Sequence, residues 1–271
     1  SRWAKIGLFY AIFYGALSTL AGICLWVFMQ TIDIRIPKYK LEESIIGTNP
    51  GLGYRPSPPS NNVESTLIYY KGTADKDYSY WVQSLNDFLL EYEVLGNSSS
   101  QGQHVRSCNY RQYPKEGQVC LIDYKSFGIC NKENHFNYHK SGPCIFLKLN
   151  RIYGWVPEYY NDTEHLPIQM PKQLREYIHN ISKVNRDMLN TVWVSCEGEN
   201  PADLEYVGPI NYFPIQGFPG YYFPYLNADG YLSPLVAVNI QAPRRGVLIN
   251  IECKAWAKNI IHSRAERTGS V

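Results

Sequence analysis

Between Lys5 and Asp33 the chain carries no charged residue, and residues 6–29 read IGLFYAIFYGALSTLAGICLWVFM. At about 1.5 Å per residue, a helix of that length crosses a roughly 30 Å hydrocarbon core with tilt to spare. Lipid offers the backbone no hydrogen-bond partners, so a single spanning run must be helical. A buried helix of a large soluble protein and a cleaved leader are the alternatives. A leader has an apolar region of about 7 to 15 residues that ends at a small-x-small site. Here the run is longer and ends in Trp26-Val27-Phe28-Met29-Gln30. The pattern predicts a membrane anchor, with residues 1–5 a cytosolic stub. On that helix Gly7, Ala11, Gly15, Ser18 and Gly22 fall in one stripe about 80° wide. Small residues at this spacing let a second helix approach closely. Tyr10 and Tyr14 flank the stripe, while Phe9 and Phe13 point away from it.

Residues 30–64 hold Pro37, Pro50, Pro56, Pro58 and Pro59 and read as an extended stalk. Arg55-Pro56-Ser57-Pro58-Pro59 mimics a polyproline ligand, but a stiff linker explains it on the outer side of a membrane. Residues 65–271 form the folded domain. Residues 65–71 (STLIYYK) predict a strand. In 78–92, Trp81, Leu85, Phe88, Leu89 and Tyr92 recur at helical spacing, with Asp75-Lys76-Asp77 in front as a cap. Strands follow at 118–124, 143–151, 191–196, 234–241 and 247–257. In the last, Ile249, Ile251, Cys253 and Ala255 alternate with Asn250, Glu252, Lys254 and Trp256. Short strands separated by turns such as Lys140-Ser141-Gly142-Pro143 favour a β-sandwich. Residues 171–190 break the pattern, since Leu174, Tyr177, Ile178, Ile181, Val184 and Met188 recur helically; they predict an inserted helix.

Composition sharpens the setting. A net charge of +2 with mixed signs gives no electrostatic case for nucleic acid. Charged residues are 18% of the chain while tyrosines number 23, which favours a β-rich domain with amphipathic contact surfaces. Cys24 lies in the anchor; the other six cysteines (Cys108, Cys120, Cys130, Cys144, Cys196 and Cys253) all follow it. An even set beyond an anchor predicts three disulfides in an oxidising compartment, with about 15 pairings open. The sequons at Asn97, Asn161 and Asn180 agree, so the N-terminus is expected in the cytosol, a type II topology.

Candidate chemistry is sparse. Cys130, His135, His139 and Cys144 have the ligand types of a zinc knuckle, although a Cys130–Cys144 disulfide suits the compartment better. Asp75-x-Asp77 is similar to the metal-holding pair of Golgi glycosyltransferases, but helix capping explains the aspartates without further assumption. No G-x-S-x-G elbow, phosphate-binding glycine loop or H-E-x-x-H helix occurs in the chain.

Several blocks carry a family resemblance. Phe9-Tyr10-x-x-Phe13-Tyr14-Gly15 and Met29-Gln30-Thr31-Ile32-Asp33 resemble the anchor signature of β subunits of the sodium/potassium and gastric proton/potassium ATPases. Gly142-Pro143-Cys144-Ile145-Phe146-Leu147-Lys148-Leu149-Asn150-Arg151-Ile152 resembles a central block of that family. Tyr222-Phe223-Pro224-Tyr225 with Pro234-Leu235-Val236-Ala237-Val238, and Ile251-Glu252-Cys253-Lys254, resemble its later blocks. The resemblance implies pairing of Cys108 with Cys120, Cys130 with Cys144 and Cys196 with Cys253, in an immunoglobulin-like sandwich with one helix. It implies a non-catalytic, cofactor-free plasma-membrane subunit that escorts the pump's catalytic α subunit and tunes potassium affinity, alongside lipid and with room for a small regulatory transmembrane subunit. Tyr10, Phe13, Tyr14 and Gly15 would face an α-subunit helix; Tyr222, Pro224 and Tyr225 would lie near its outer loops. The family's Tyr-Gly-Lys is replaced by Leu226-Asn227-Ala228, residues 157–195 are longer than in vertebrate members, and both ends look cut. The elongation favours an invertebrate sodium-pump subunit over a gastric one. Two other classes compete on weaker grounds: a type II glycosyltransferase-like enzyme, from topology and Asp75-x-Asp77, and an adhesion module, from glycans on a β-sandwich.

Overall fold

The computed structural model describes residues 2–59, 66–72, 74–97, 104–263 and 268–271. Helix α1 (Arg2–Gln30) is exposed along its whole length. Beyond it come β1 (Leu52–Arg55), α2 (Asp75–Asn97), β2 (Val105–Arg106), β3 (Val119–Cys120) and β4 (Cys144–Leu149). Then follow α3 (Lys172–Val184), β5 (Thr191–Gly198), α4 (Pro201–Tyr206), β6 (Ile210–Phe213), β7 (Gly217–Pro219), β8 (Leu235–Ile240) and β9 (Ile251–Trp256). Strands β1-β4-β8-β6 make one antiparallel sheet and β7-β5-β9 a second, while β2 and β3 form a small parallel pair.

The central strands are apolar on both faces because both faces are covered, and their period of two sorts side chains between different cores. From β4, Ile145, Leu147 and Leu149 enter the core shared by the two sheets. Its Cys144 and Phe146 face α2 instead, beside Trp81, Val82 and Leu85. Strands β5 and β9 behave alike: Val192, Val194, Cys253 and Ala255 point to the shared core. Their Trp193 and Trp256 turn outward onto Leu174 and Ile178 of α3. The ectodomain is therefore a two-sheet sandwich with a helix against the outer face of each sheet. Helix α3 is part of that packing, with Leu174 and Ile178 at 0% exposure.

Several expected elements differ. Residues 66–71 form no strand; Ile68 and Tyr70 pack against the cores, and Tyr69 O accepts from Trp81 Nε1 at 2.9 Å. Residue 65 lies outside the described residues. The strands expected at 118–124 and 247–257 shorten to Val119–Cys120 and Ile251–Trp256. Within the expected stalk, Leu52–Arg55 pairs with β4 and Asn49 bonds Ile261 through both side-chain atoms, so this stretch belongs to the folded domain. Strands β6 and β7 have no counterpart in the pattern of the sequence. Pro214 follows β6 and Pro219 ends β7, and both are edge strands, where proline is tolerated.

Disulfides join Cys108 to Cys120, Cys130 to Cys144 and Cys196 to Cys253. The Cys130–Cys144 bond consumes both thiolates of the zinc-knuckle alternative. His135 and His139 stack edge to face at 5.9 Å, and His135 also meets Tyr78. Cys196 and Cys253 are register partners on adjacent strands, so this bond lies within one sheet. An antibody domain's hallmark disulfide joins two sheets instead.

Candidate partner-docking surfaces

Two separate regions carry the docking residues read from the sequence. On α1, Tyr10 and Tyr14 stack at 6.0 Å and Phe9 and Phe13 at 6.2 Å. Phe13 meets Tyr14 edge on at 5.4 Å, so the four rings make one collar. A Cβ built on Gly7, Gly15 or Gly22 meets no atom within 4 Å among the described residues. Among the described residues these glycines make room for no packing neighbour. At 100° per residue Phe13 lies about 160° from the middle of the small-residue stripe. Gly15 and Phe13 thus do not centre on one neighbouring helix: the stripe offers close approach on one side and the collar carries contact around to the other.

In the ectodomain the expected trio divides. Tyr222 packs into the α2 core, and its hydroxyl donates to Leu121 O at 3.2 Å. Burial, and then the neighbouring Tyr221, raises its pKa. Tyr222 holds the segment down from within. Gly220 fixes its start, since a Cβ there would lie 2.6 Å from Asn190 O, whose carbonyl accepts from Gly220 N. Pro224 follows a cis peptide and is exposed. Tyr225 is half-buried, and its hydroxyl donates to Asn227 Oδ1 at 2.8 Å.

The residues supporting Tyr225 were not read from the sequence. Arg151 lies over the rings of Tyr225 and Tyr231, 5.5 and 5.3 Å from their centroids, and its Nε donates to Ser233 Oγ. A groove of about 510 Å³ beside them is lined by Asp87, Leu90, Val94, Arg151, Tyr225 and Tyr231. The chain leaving α1 reaches the same place. Arg35 pairs with Asp229 at 2.8 Å, Arg35 O accepts from Asn227 Nδ2, and Lys40 lies over Tyr153. Sequence position gives no hint of these contacts, because Arg35 and Asp229 are 194 residues apart. The Leu226-Asn227-Ala228 departure supplies one of them.

The remaining expected sites are dispersed. Asn161 is exposed in a loop and Asn180 is exposed on α3. Asn97 ends α2; its side chain and the rest of its sequon lie outside the described residues. Asp75 begins α2 and Asp77 lies in its first turn, where a carboxylate favours the positive end of the helix dipole.

One helix long and apolar enough to cross a membrane among the described residues, followed by a disulfide-stapled mainly-β domain, defines a single-pass membrane protein. The model of the sodium/potassium ATPase beta chain family matches residues 1–271, and the chain belongs to that family. It is 60% identical to the sodium/potassium-transporting ATPase subunit beta-2 of Drosophila melanogaster, over 99% of this chain and 83% of that one. Identity with the fly subunit beta-1 is 41%, over 99% of this chain and 84% of the other. With the Homo sapiens subunit beta-2 it is 29%, over 96% and 81%. These matches support an invertebrate, non-catalytic β subunit associated with a catalytic α subunit.

Proposed function

We propose that this chain escorts a sodium-pump α subunit to the plasma membrane and tunes its potassium affinity. The N-terminus is cytosolic and the sandwich, immunoglobulin-like in plan, is outside. Three disulfides and the sequons at Asn97, Asn161 and Asn180 support that orientation. The observation that carries the docking role is α1, whose glycines meet nothing among the described residues. On this reading Tyr10, Tyr14 and Gly15 meet a pump helix, and Phe13 extends the contact through the aromatic collar or meets lipid and a small regulatory helix on the far side. Pro224 and Tyr225 face the pump's outer loops, with Tyr222 holding them in place.

Tuning follows from linkage: a subunit shifts potassium affinity only by contacting the potassium-occluded and sodium-bound states unequally. Co-expression with an α subunit tests the proposal by surface biotinylation and potassium activation. The chain should raise surface α subunit and set the half-activating potassium concentration. Equal surface delivery and an unchanged potassium curve without the chain would refute it.

A further inference from the structure

A second groove, of about 560 Å³, lies between the loop after Asn161 and the outer side of α3. Thr163, Glu164, Leu166, Arg175, His179 and Asn180 line it. That volume falls in the range of small-molecule pockets, roughly 300–1,000 Å³. Its charges compensate: Glu164 and Glu176 oppose Lys172 and Arg175, and Lys172 Nζ lies 3.7 Å from Glu176 Oε1. A balanced rim provides little net field to select an ion, and suits a neutral polar ligand. Leu166, half-buried against the α3 core, adds an apolar floor. Arg175 Nε is buried and has no hydrogen-bond partner among the described residues. A buried donor left unpaired is destabilising until an acceptor reaches it.

Asn180 lines this groove and is itself a glycosylation acceptor by sequence. We propose that the groove seats the inner sugars of an oligosaccharide carried on Asn180, with Arg175 Nε donating to a sugar oxygen. The inference rests on the exoplasmic orientation of the ectodomain given above. Attachment joins Asn180 Nδ2 to the anomeric carbon of a lipid-linked oligosaccharide. The amide gives up one proton and the lipid diphosphate departs. In the folded helix the sequon's Ser182 hydroxyl donates to His179 O at 2.7 Å. The acceptor is therefore read before α3 forms, and folding then lays the attached sugar along the groove. Asn161, exposed in its loop, carries its sugar into solvent.

The test uses the full chain co-expressed with an α subunit and purified in mild detergent. A peptide amidase that cleaves the Asn–sugar bond is applied without denaturant, and mass spectrometry counts Asn-to-Asp conversion at each site. A glycan seated about nine-tenths of the time is released roughly tenfold more slowly. The expected result is slow release at Asn180, fast release at Asn161, and equal fast release after denaturation. Arg175→Met, or Leu166→Ser should that variant misfold, should bring Asn180 to the rate of Asn161. Equal native rates, slow release at Asn161 with fast release at Asn180, or an Asn180 rate indifferent to both variants would overturn the groove's role. An unmodified Asn180 beside an occupied Asn161 overturns it and leaves the orientation standing. Neither site occupied overturns the orientation as well.

Discussion

His262 packs edge to face on Trp256 at 4.7 Å, and its Nε2 donates to Ala255 O at 2.7 Å. Burial is the largest influence on its pKa and lowers it from 6.5; Lys254 lowers it further, against the Ala255 contact and Glu252. The unfolded chain therefore takes up a proton first. The stability due to neutral His262 is complete above about pH 6.5 and lost as pH falls through the folded value. In melting curves of the full chain, His262→Gln should flatten the fall in Tm below about pH 6.5; an unchanged slope would contradict this. Arg151 belongs to the same scale. Two cation–π contacts of about 0.5–1 kcal/mol each, and its bond to Ser233, predict that Arg151→Ala costs roughly 1–3 kcal/mol. Denaturant titration checks that, and a loss below about 0.5 kcal/mol would show that the ring sandwich is incidental. Arg151 is legible in the sequence as part of a family block. Tyr225 is legible in the same way, but its meeting with Arg151, and the partners Tyr231 and Ser233, are not, because only the chain's return into β8 brings them beside Arg151.

At the scale of elements, legibility follows burial. Strands β4, β8 and β9 and helices α2 and α3 stand out because long apolar patterns serve cores on both sides of the sheets. Strand β1 does not, since four residues between prolines mean nothing until they meet β4, nearly a hundred positions away. The segment 66–71 errs in the opposite sense: its β-branched and aromatic residues suit a strand, but Ile68 and Tyr70 are taken up by helix packing. Two predictions belong here. Gly15→Leu meets no obstacle among the described residues, so it should leave the ectodomain's Tm unchanged while lowering recovery of the α subunit severalfold. Undiminished co-recovery would remove the stripe from the interface. Loop entropy also ranks the disulfides. Opening Cys196–Cys253, at a separation of 57, should cost about 4 kcal/mol, against about 3 kcal/mol for Cys108–Cys120 at 12. Cys-to-Ala pairs compared by denaturant titration test the order, and a reversed order would contradict the chain-entropy account.

Across the whole molecule, the sandwich is carried by one exposed helix and a short connection that returns to the 225–229 loop. That return places the 225–229 loop beside the chain leaving α1, since Arg35 pairs with Asp229 and its carbonyl accepts from Asn227. The class was legible early because an anchor, six cysteines and family blocks constrain a chain strongly. The meeting of Arg35 with Asp229 was not, since nothing local encodes a contact between residues 194 positions apart. The central claim is that this chain is half of an assembly. Affinity purification of the full chain in mild detergent tests it most directly. The account predicts that an ATPase of about ten membrane spans co-purifies in equal molar amount, and that Gly15→Leu depletes it. Recovery of the chain alone, from membranes that contain the pump, would contradict it.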